Sequence, residues 1–286
     1  MTLVKTGGIY IHSDITNTEV YLDGEFVKNN GVLLRNTFIQ KLRPEKEYQI
    51  RIDKEGFNTW TKTFFVYPSL VAEGNVMMLP LEIEKRGIFP FIDVDGLGTT
   101  TPDLEKLDIL IPTNKEYNDL VEIFNPAVST TTKPVVIDVN EIATNTLVSK
   151  SEIPEYFIEL GISDPEELEN LIVLGNEVSY LENENVILNW IGKKDSQPFY
   201  YCLNLQDCRT QIILDWDDEI KSFDFYPGRN DILVALTENG IFAVEVDDRS
   251  TRNINAIYLG QDLDFIKSDN DRIVVKDGEV FYEISL

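Results

Sequence analysis

Apolar and polar residues alternate with a period of two over short runs along most of this chain, the pattern of strands with one buried and one wet face. Between residues 7 and 80 the runs are Gly8 to His12, Glu19 to Leu22, Glu25 to Lys28, Thr37 to Lys41, Tyr48 to Asp53, Trp60 to Val66 and Asn75 to Leu79. Asp23-Gly24 predicts a two-residue hairpin, because glycine takes positive φ without steric cost and aspartate tolerates it. Asn30-Gly31 and Glu55-Gly56 mark further turns. About seven short strands in so compact a stretch predict a small β-sandwich.

Between residues 81 and 175 the pattern changes. Prolines recur at 90, 102, 112, 126, 134, 154 and 165, and Ser129 to Thr132 is a polar tract, so this stretch reads as a connector with short helices. Thr101-Pro102 starts one helix. A second, capped by Asn114, runs from Lys115 to Phe124 and stops before Pro126. A third runs from Pro154 to Leu160 and ends at Gly161. Asp164-Pro165-Glu166-Glu167 has the form of a capping box, and Leu168, Leu171 and Ile172 then make a helical apolar stripe. The last two helices are expected to form a hairpin packed on the C-terminal region.

From 176 to 286 strand and turn alternate again, with internal similarity. Asn176 to Tyr180 corresponds to Asp218 to Phe223, and Val186 to Trp190 to Ile232 to Leu236, a period of about 42 residues. A third copy opens near Leu263, continues through Arg272 to Val275 and Val280 to Tyr282, and is cut short at Leu286. Such a period is that of β-propeller blades, but three incomplete copies fall below the usual ring of about four to eight. The expectation is an open or partial propeller, or a meander packed on the connector helices. The chain is thus read as mainly β, with a small sandwich at 7–80, a mixed connector at 81–175 and propeller-like repeats at 176–286.

The first of these regions resembles the PEGA domain, a small β-sandwich of bacterial and archaeal envelope and surface proteins. The resemblance lies in Gly8-Ile9-Tyr10-Ile11, Ser13-Asp14, Glu19 to Gly24, Leu42-Arg43-Pro44, Tyr48-Gln49-Ile50, Lys54 to Phe57, Trp60 and Leu79-Pro80. Thr16-Asn17-Thr18 stands where the family has a Pro-x-Gly-Ala turn, and Glu45-Lys46-Glu47 replaces the usual glycine before the tyrosine. Connector and repeats are similar to the region after a PEGA domain in membrane-anchored proteins of ultra-small bacteria. The resemblance implies a sandwich used for display or interaction, without a catalytic constellation, in an extracytoplasmic protein with an N-terminal membrane anchor. Such an anchor is expected upstream, since Met1 leaves about seven residues before the first strand. No run within the chain approaches the roughly 20 apolar residues of a membrane span.

Charge narrows the possible partners. The chain of 286 residues carries 50 acidic and 25 basic residues, a formal charge of -25, which repels a phosphate backbone and argues against nucleic acid. Residues 7–80 hold nine acidic and eight basic side chains, so the acidity belongs to the rest of the chain. Its densest run is Asp215, Asp217, Asp218 and Glu219, joined one repeat later by Asp262 and Asp264. These form a solvated rim, or a surface for a divalent cation or a basic partner.

The chemistry-bearing residues are few. His12 is the one histidine, on a strand, which removes multi-histidine metal sites. No Gly-x-Ser-x-Gly and no phosphate-cradling glycine loop occurs. Asp93-Val94-Asp95-Gly96, with Asp103 beyond, is the one candidate metal site: hard oxygens on a turning loop suit calcium, although Leu97 and Leu104 depart from an EF-hand. The other reading is a solvated Asp-Gly turn. No other cofactor is implied. Asp217 with Asp264, or Asp93 with Asp95, are the only carboxylate pairs that glycoside hydrolysis could use. Cys202 and Cys208 flank a hairpin centred on Leu205 and are either a cross-hairpin disulfide or two half-buried thiols. Phe199, Tyr200 and Tyr201 beside them would stack on sugars if exposed and otherwise belong to a core. The expectation is therefore a non-catalytic cell-envelope module that binds a protein or a cell-surface polysaccharide. A self-associating structural component and an acidic-site glycan hydrolase are the alternatives.

Overall fold

A computed structural model describes residues 5–29, 35–88, 114–124, 137–138, 155–204, 207–268 and 272–286. Strands account for 53% of the described residues and the helices are few and short, so the protein is mainly β, with several antiparallel sheets and, among the described residues, no closed barrel or propeller.

The first seven strands are β1 (Gly7–His12), β2 (Glu19–Leu22), β3 (Glu25–Asn29), β4 (Thr37–Leu42), β5 (Lys46–Asp53), β6 (Trp60–Val66) and β7 (Val71–Asn75). They form two sheets, ordered β4-β1-β7 and β3-β2-β5-β6, with β7 parallel to β1 and every other pair antiparallel. Asp23 and Gly24 both have positive φ, 50° and 85°, and turn β2 into β3 as their sequence requires. The inward residues Ile9, Ile11, Val20, Ile50, Ile52, Trp60 and Phe64 fill the space between the sheets. At Gly74 a Cβ would stand 2.5 Å from the Phe64 ring, so only glycine lets β7 lie so close to that ring.

The expected strand from Asn75 to Leu79 is displaced: the strand is β7, and Val76, Met77, Met78 and Leu79 come after it, outside any strand. All four are buried. Consecutive burial cannot come from one face of a strand; it arises because this segment joins the cluster that the sandwich shares with the rest of the protein.

The remaining elements are β8 (Lys85–Ile88), α1 (Asn114–Phe124), β9 (Ile137–Asp138), α2 (Glu155–Glu159), β10 (Glu169–Leu174), β11 (Glu177–Glu182) and β12 (Asn185–Trp190). Next come β13 (Cys202–Asn204), β14 (Asp207–Cys208), β15 (Gln211–Leu214), β16 (Ser222–Phe225), β17 (Ile232–Leu236) and β18 (Gly240–Glu245). The last four are β19 (Ile254–Leu259), β20 (Leu263–Ser268), β21 (Arg272–Asp277) and β22 (Val280–Ser285). They build three larger sheets, β9-β10-β11-β12-β15, β16-β17-β18-β19 and β8-β22-β21-β20, and a two-stranded one, β13-β14.

The structure corrects three further sequence expectations. Asp164-Pro165-Glu166-Glu167 starts only a 3-10 turn, Pro165–Glu167, after which the chain enters β10 instead of a helix. The β-branched pair Ile172-Val173 favours extended backbone, and pairing with β11 satisfies its backbone groups. The repeat is also shifted by one strand. Within the four-stranded meander β10-β11-β12-β15, which β9 extends at its edge, β11 occupies the second place, as β17 does in its sheet, whereas the sequence comparison set β11 against the first strand, β16. Between the second and third sheets the true spacing is 40 residues, from Ile232 to Arg272 and from Gly240 to Val280. Nor is the third copy cut short: β8, from the connector, pairs antiparallel with β22 and supplies the fourth strand.

The three sheets stack face to face, so inner strands such as β11, β12 and β17 are buried on both sides. On β17, Leu233 and Ala235 face the first sheet, while Ile232, Val234 and Leu236 belong to the cluster shared with the third. The two outer faces are each covered by a helix. Phe157 and Ile162, on and just beyond α2, pack on Val178, Tyr180 and Ile187 of the first sheet. Phe124, Tyr117 and Leu120 of α1 pack with Ile88, Val274 and Phe281 of the third. An unfinished propeller would leave apolar end faces open; here both helices act as caps, as terminal repeats do in stacked-repeat proteins.

Candidate functional site

The antiparallel meander puts two kinds of loop at opposite ends of the stacked sheets. At one end lie the loops joining β10 to β11, β16 to β17, β12 to β15 and β18 to β19, and this end meets the sandwich. The centre of that junction is the loop after β18. Lys62, on β6, occupies a core-facing position between Trp60 and Phe64 and is 1% exposed. Its ammonium sits 2.9 Å from Glu245 Oε2 and 3.6 Å from Asp247 Oδ2, and donates to the Asp247 carbonyl at 2.5 Å. Trp60 Nε1 donates to the other oxygen of Glu245 at 2.7 Å, and Asn253 donates to Glu245 Oε2 through its backbone and its amide. The buried carboxylate of Glu245 is thus fully satisfied, which a buried charge requires.

The same loop covers the free edge of the sandwich. Thr61 N–H donates to Asn253 Oδ1 and the Asn253 amide donates back to Thr61 O, while Thr63 N–H donates to Ser250 Oγ. The ladder groups of β6 that would otherwise invite another strand are therefore occupied. Arg249 is held bidentate by Asp247 at 2.9 and 2.8 Å, donates to Glu73 O on β7, and stacks 4.9 Å from the Phe199 ring. Burial pushes the Asp247 carboxyl up, but its hydrogen bonds to Arg249 and the charges of Arg249 and Lys62 outweigh that and hold it below its ordinary value. Asp248 takes Arg209 and Arg252, and Arg252 reaches Ile213 O on β15. One loop away, Arg229 forms a two-pronged pair with Asp231 at 2.8 and 2.6 Å and donates to Val76 O, while Asn75 donates to Asp231.

The opposite end is built from the turns after β11, β17 and β21 and the connections from β15 to β16 and β19 to β20. Asn239 gathers them: its amide donates to Asp218 Oδ2 at 3.3 Å and its carbonyl accepts from Gly260 N–H. Asp215, Asp217, Glu219, Glu238, Asp262 and Asp264 are all exposed there. Among the described residues no lysine or arginine forms an ion pair with any of them; the Asp264 carboxylate accepts from the Phe265 N–H. Trp216, in the middle of the first connection, is half-buried against Phe242.

Of the other residues singled out in the sequence, Cys202 and Cys208 are registered partners on β13 and β14 and are joined as a disulfide. Tyr200 and Tyr201 are 4% and 0% exposed, so they belong to the core between the first and second sheets and offer no stacking platform for sugars. Phe199 is half-buried beneath Arg249. His12 is exposed at the end of β1, 3.4 Å from Asp14. Asp93, Asp95 and Asp103 lie outside the described residues, as does the helix expected at Thr101-Pro102. Among the described residues no group of three or more His, Cys, Asp or Glu side chains is placed to hold a metal ion.

Sequence reasoning did not single out Lys62, Glu245 or Glu177. A signal existed for the first: Lys62 is in phase with Trp60, Phe64 and Val66, and a lysine at a core position demands a buried partner. Comparison with known protein families and with curated proteins finds no match to this chain.

Proposed function

We propose that this protein is a non-catalytic extracytoplasmic interaction module, similar to PEGA-containing envelope proteins, in which the sandwich docks and orients the stacked sheets and their acidic end meets the partner. The observation that carries the reading is the separation of charge between the two ends. Lys62 of the sandwich and Arg209, Arg229, Arg249 and Arg252 of the sheet loops pair with carboxylates at the junction, whereas among the described residues the exposed carboxylates of the far end form no ion pair. Such a predominantly acidic surface steers a basic protein segment, or a polysaccharide bridged by cations, and repels nucleic acid and anionic lipid. The Cys202–Cys208 disulfide supports an oxidising compartment. Among the described residues no helix is long and apolar enough to cross a membrane.

The test is capture from a solubilised envelope fraction with the wild type and with a variant carrying Asp215→Asn, Asp217→Asn, Glu219→Gln and Asp262→Asn. The reading expects a defined protein or glycan bound by the wild type, lost in the variant and lost in about 1 M salt, where the screening length is about 3 Å. Equal capture by both proteins would sink it.

The self-associating alternative calls on sheet edges or repeat faces; the two outer faces are covered by α2 and α1, which leaves the sheet edges as its route. The hydrolase alternative needs one carboxyl kept protonated beside one ionised. Asp217 and Asp264 stand in the same solvent-exposed setting, which favours neither role.

A further inference from the structure

The first sheet breaks its meander between β12 and β15, and the excursion returns a single 3-10 turn, Phe199–Tyr201, into the core immediately before the disulfide hairpin. Both buried tyrosine hydroxyls donate to one oxygen of Glu177, each at 3.0 Å. Glu177 is 1% exposed, and its second oxygen, Oε2, is buried without a hydrogen-bond partner. The groups facing it come from two elements. The turn contributes Tyr200 and Tyr201, the latter also in the field of Arg209, and the loop between β16 and β17 contributes the Asn230 amide and the Asp231 carboxylate. Arg209 and Arg229 are engaged elsewhere, by Asp248 and Asp231. Every other buried carboxylate at this end has a cation or is crossed by one; Glu177 has two phenols and a neighbouring negative charge.

We propose that Glu177 is a proton-operated latch, which when protonated seats the Phe199–Tyr201 turn on the first sheet and when ionised releases it. A neutral carboxyl accepts both phenols on its carbonyl oxygen and keeps a hydroxyl at the otherwise unpartnered position. An ionised one leaves a buried negative charge facing Asp231. Burial accordingly pushes the Glu177 carboxyl up to about 7, with the Tyr201 and Tyr200 hydrogen bonds opposing. The turn is not isolated: Phe199 lies under Arg249, whose guanidinium also holds Glu73 O on the sandwich. Release of the turn therefore loosens the junction on its first-sheet side.

The experiment is amide hydrogen exchange across residues 199–204 of the full chain, corrected for the intrinsic pH dependence of exchange, between about pH 5 and about pH 8. Opening linked to a carboxyl that titrates near 7 when seated and near its ordinary value when released grows by up to about tenfold per pH unit and levels off above about 7. The wild type should show that rise, peptides of β21 and β22 should not, and Glu177→Gln should flatten it. Protection that is the same at both ends of the range, or an unchanged rise in Glu177→Gln, overturns the latch. The carbon-13 shift of the Glu177 carboxyl gives a second reading that needs no variant: a midpoint near 4.5 overturns the proposal, and one near 7 supports it.

Discussion

At the sandwich end of the stacked sheets Asp231, Glu245, Asp247 and Asp248 each touch a lysine or an arginine, whereas at the far end Asp217, Glu219 and Asp262 face water and form no ion pair among the described residues. Both ends are made of the same kind of short loop on the same sheets. What differs is burial. Where the sandwich lands, charges lose water and must be matched one to one; where nothing lands, solvent does the matching. Buried ion pairs add little net stability over apolar residues of equal size, so the dense pairing at the junction is better understood as fixing which surface of the sandwich meets which loop. In the proposed function the far end gains its matching from the partner.

The comparison breaks hardest at Lys62. Replacing it with Met keeps the apolar stem and strands the buried Glu245 without its cation, while Asp247 keeps Arg249, and the expected loss is about 3–5 kcal/mol in urea denaturation. Adding Glu245→Gln removes the stranded charge, since a glutamine oxygen still accepts from Trp60, and should recover a large part of the loss. A single mutant within about 0.5 kcal/mol of wild type would mean that the junction charges are solvated after all.

A second, smaller break comes from pH. Glu177 titrates at about 7 in the folded protein and near 4.5 when unfolded, so the folded state holds a proton that the unfolded chain gives up between those values. Its contribution is whole below about pH 4.5, declines as pH rises, and is gone above about 7, at up to about 1.4 kcal/mol per unit and about 3 kcal/mol in total. Urea midpoints across this window should therefore fall more steeply in the wild type than in Glu177→Gln; parallel curves would remove Glu177 as their source.

Cutting the Cys202–Cys208 link with a double serine substitution tests the same excursion covalently. A loop this short contributes about 2 kcal/mol by restricting the unfolded chain. The loss should appear as faster exchange in the Phe199–Tyr201 turn, with Lys62 and β6 unaffected. Loss of protection throughout β6 would show instead that the disulfide supports the whole junction.

Much of the fold was legible because strand burial has a period of two. The runs at Glu19, Tyr48, Trp60, Val186 and Ile232 all became strands. The reading failed where a partner distant in sequence decides the outcome. The Asp164-Pro165 signal was obeyed for a single turn, and then pairing with β11 took Leu171 and Ile172 into a strand, since their spacing fits a helix or a half-buried sheet. Val76 to Leu79 is covered on more than one side and so loses any period. Nothing in Lys85–Ile88 says that it pairs with a strand some 200 residues away in sequence, because register across such a distance leaves no local mark. The candidate site was half legible. The acidic run was read as a solvated rim or a partner surface, and the structure exposes it; the paired end was not seen, because Glu245, Asp247 and Arg249 become a site only when the sandwich arrives.

The smallest effect on stability should come from the far end, and it sharpens the comparison most. Asp217→Asn and Asp262→Asn remove exposed charges that touch no cation, so each should stay within about 0.5 kcal/mol of wild type, on the stabilising side because like charges nearby are relieved. The same pair should flatten the response to salt: in the wild type, added salt screens the repulsion among these carboxylates and raises the urea midpoint, and with fewer carboxylates the rise is smaller. A loss above about 1 kcal/mol in either variant would place these side chains in contacts of the junction kind. The two ends would then differ in their partners and not in burial.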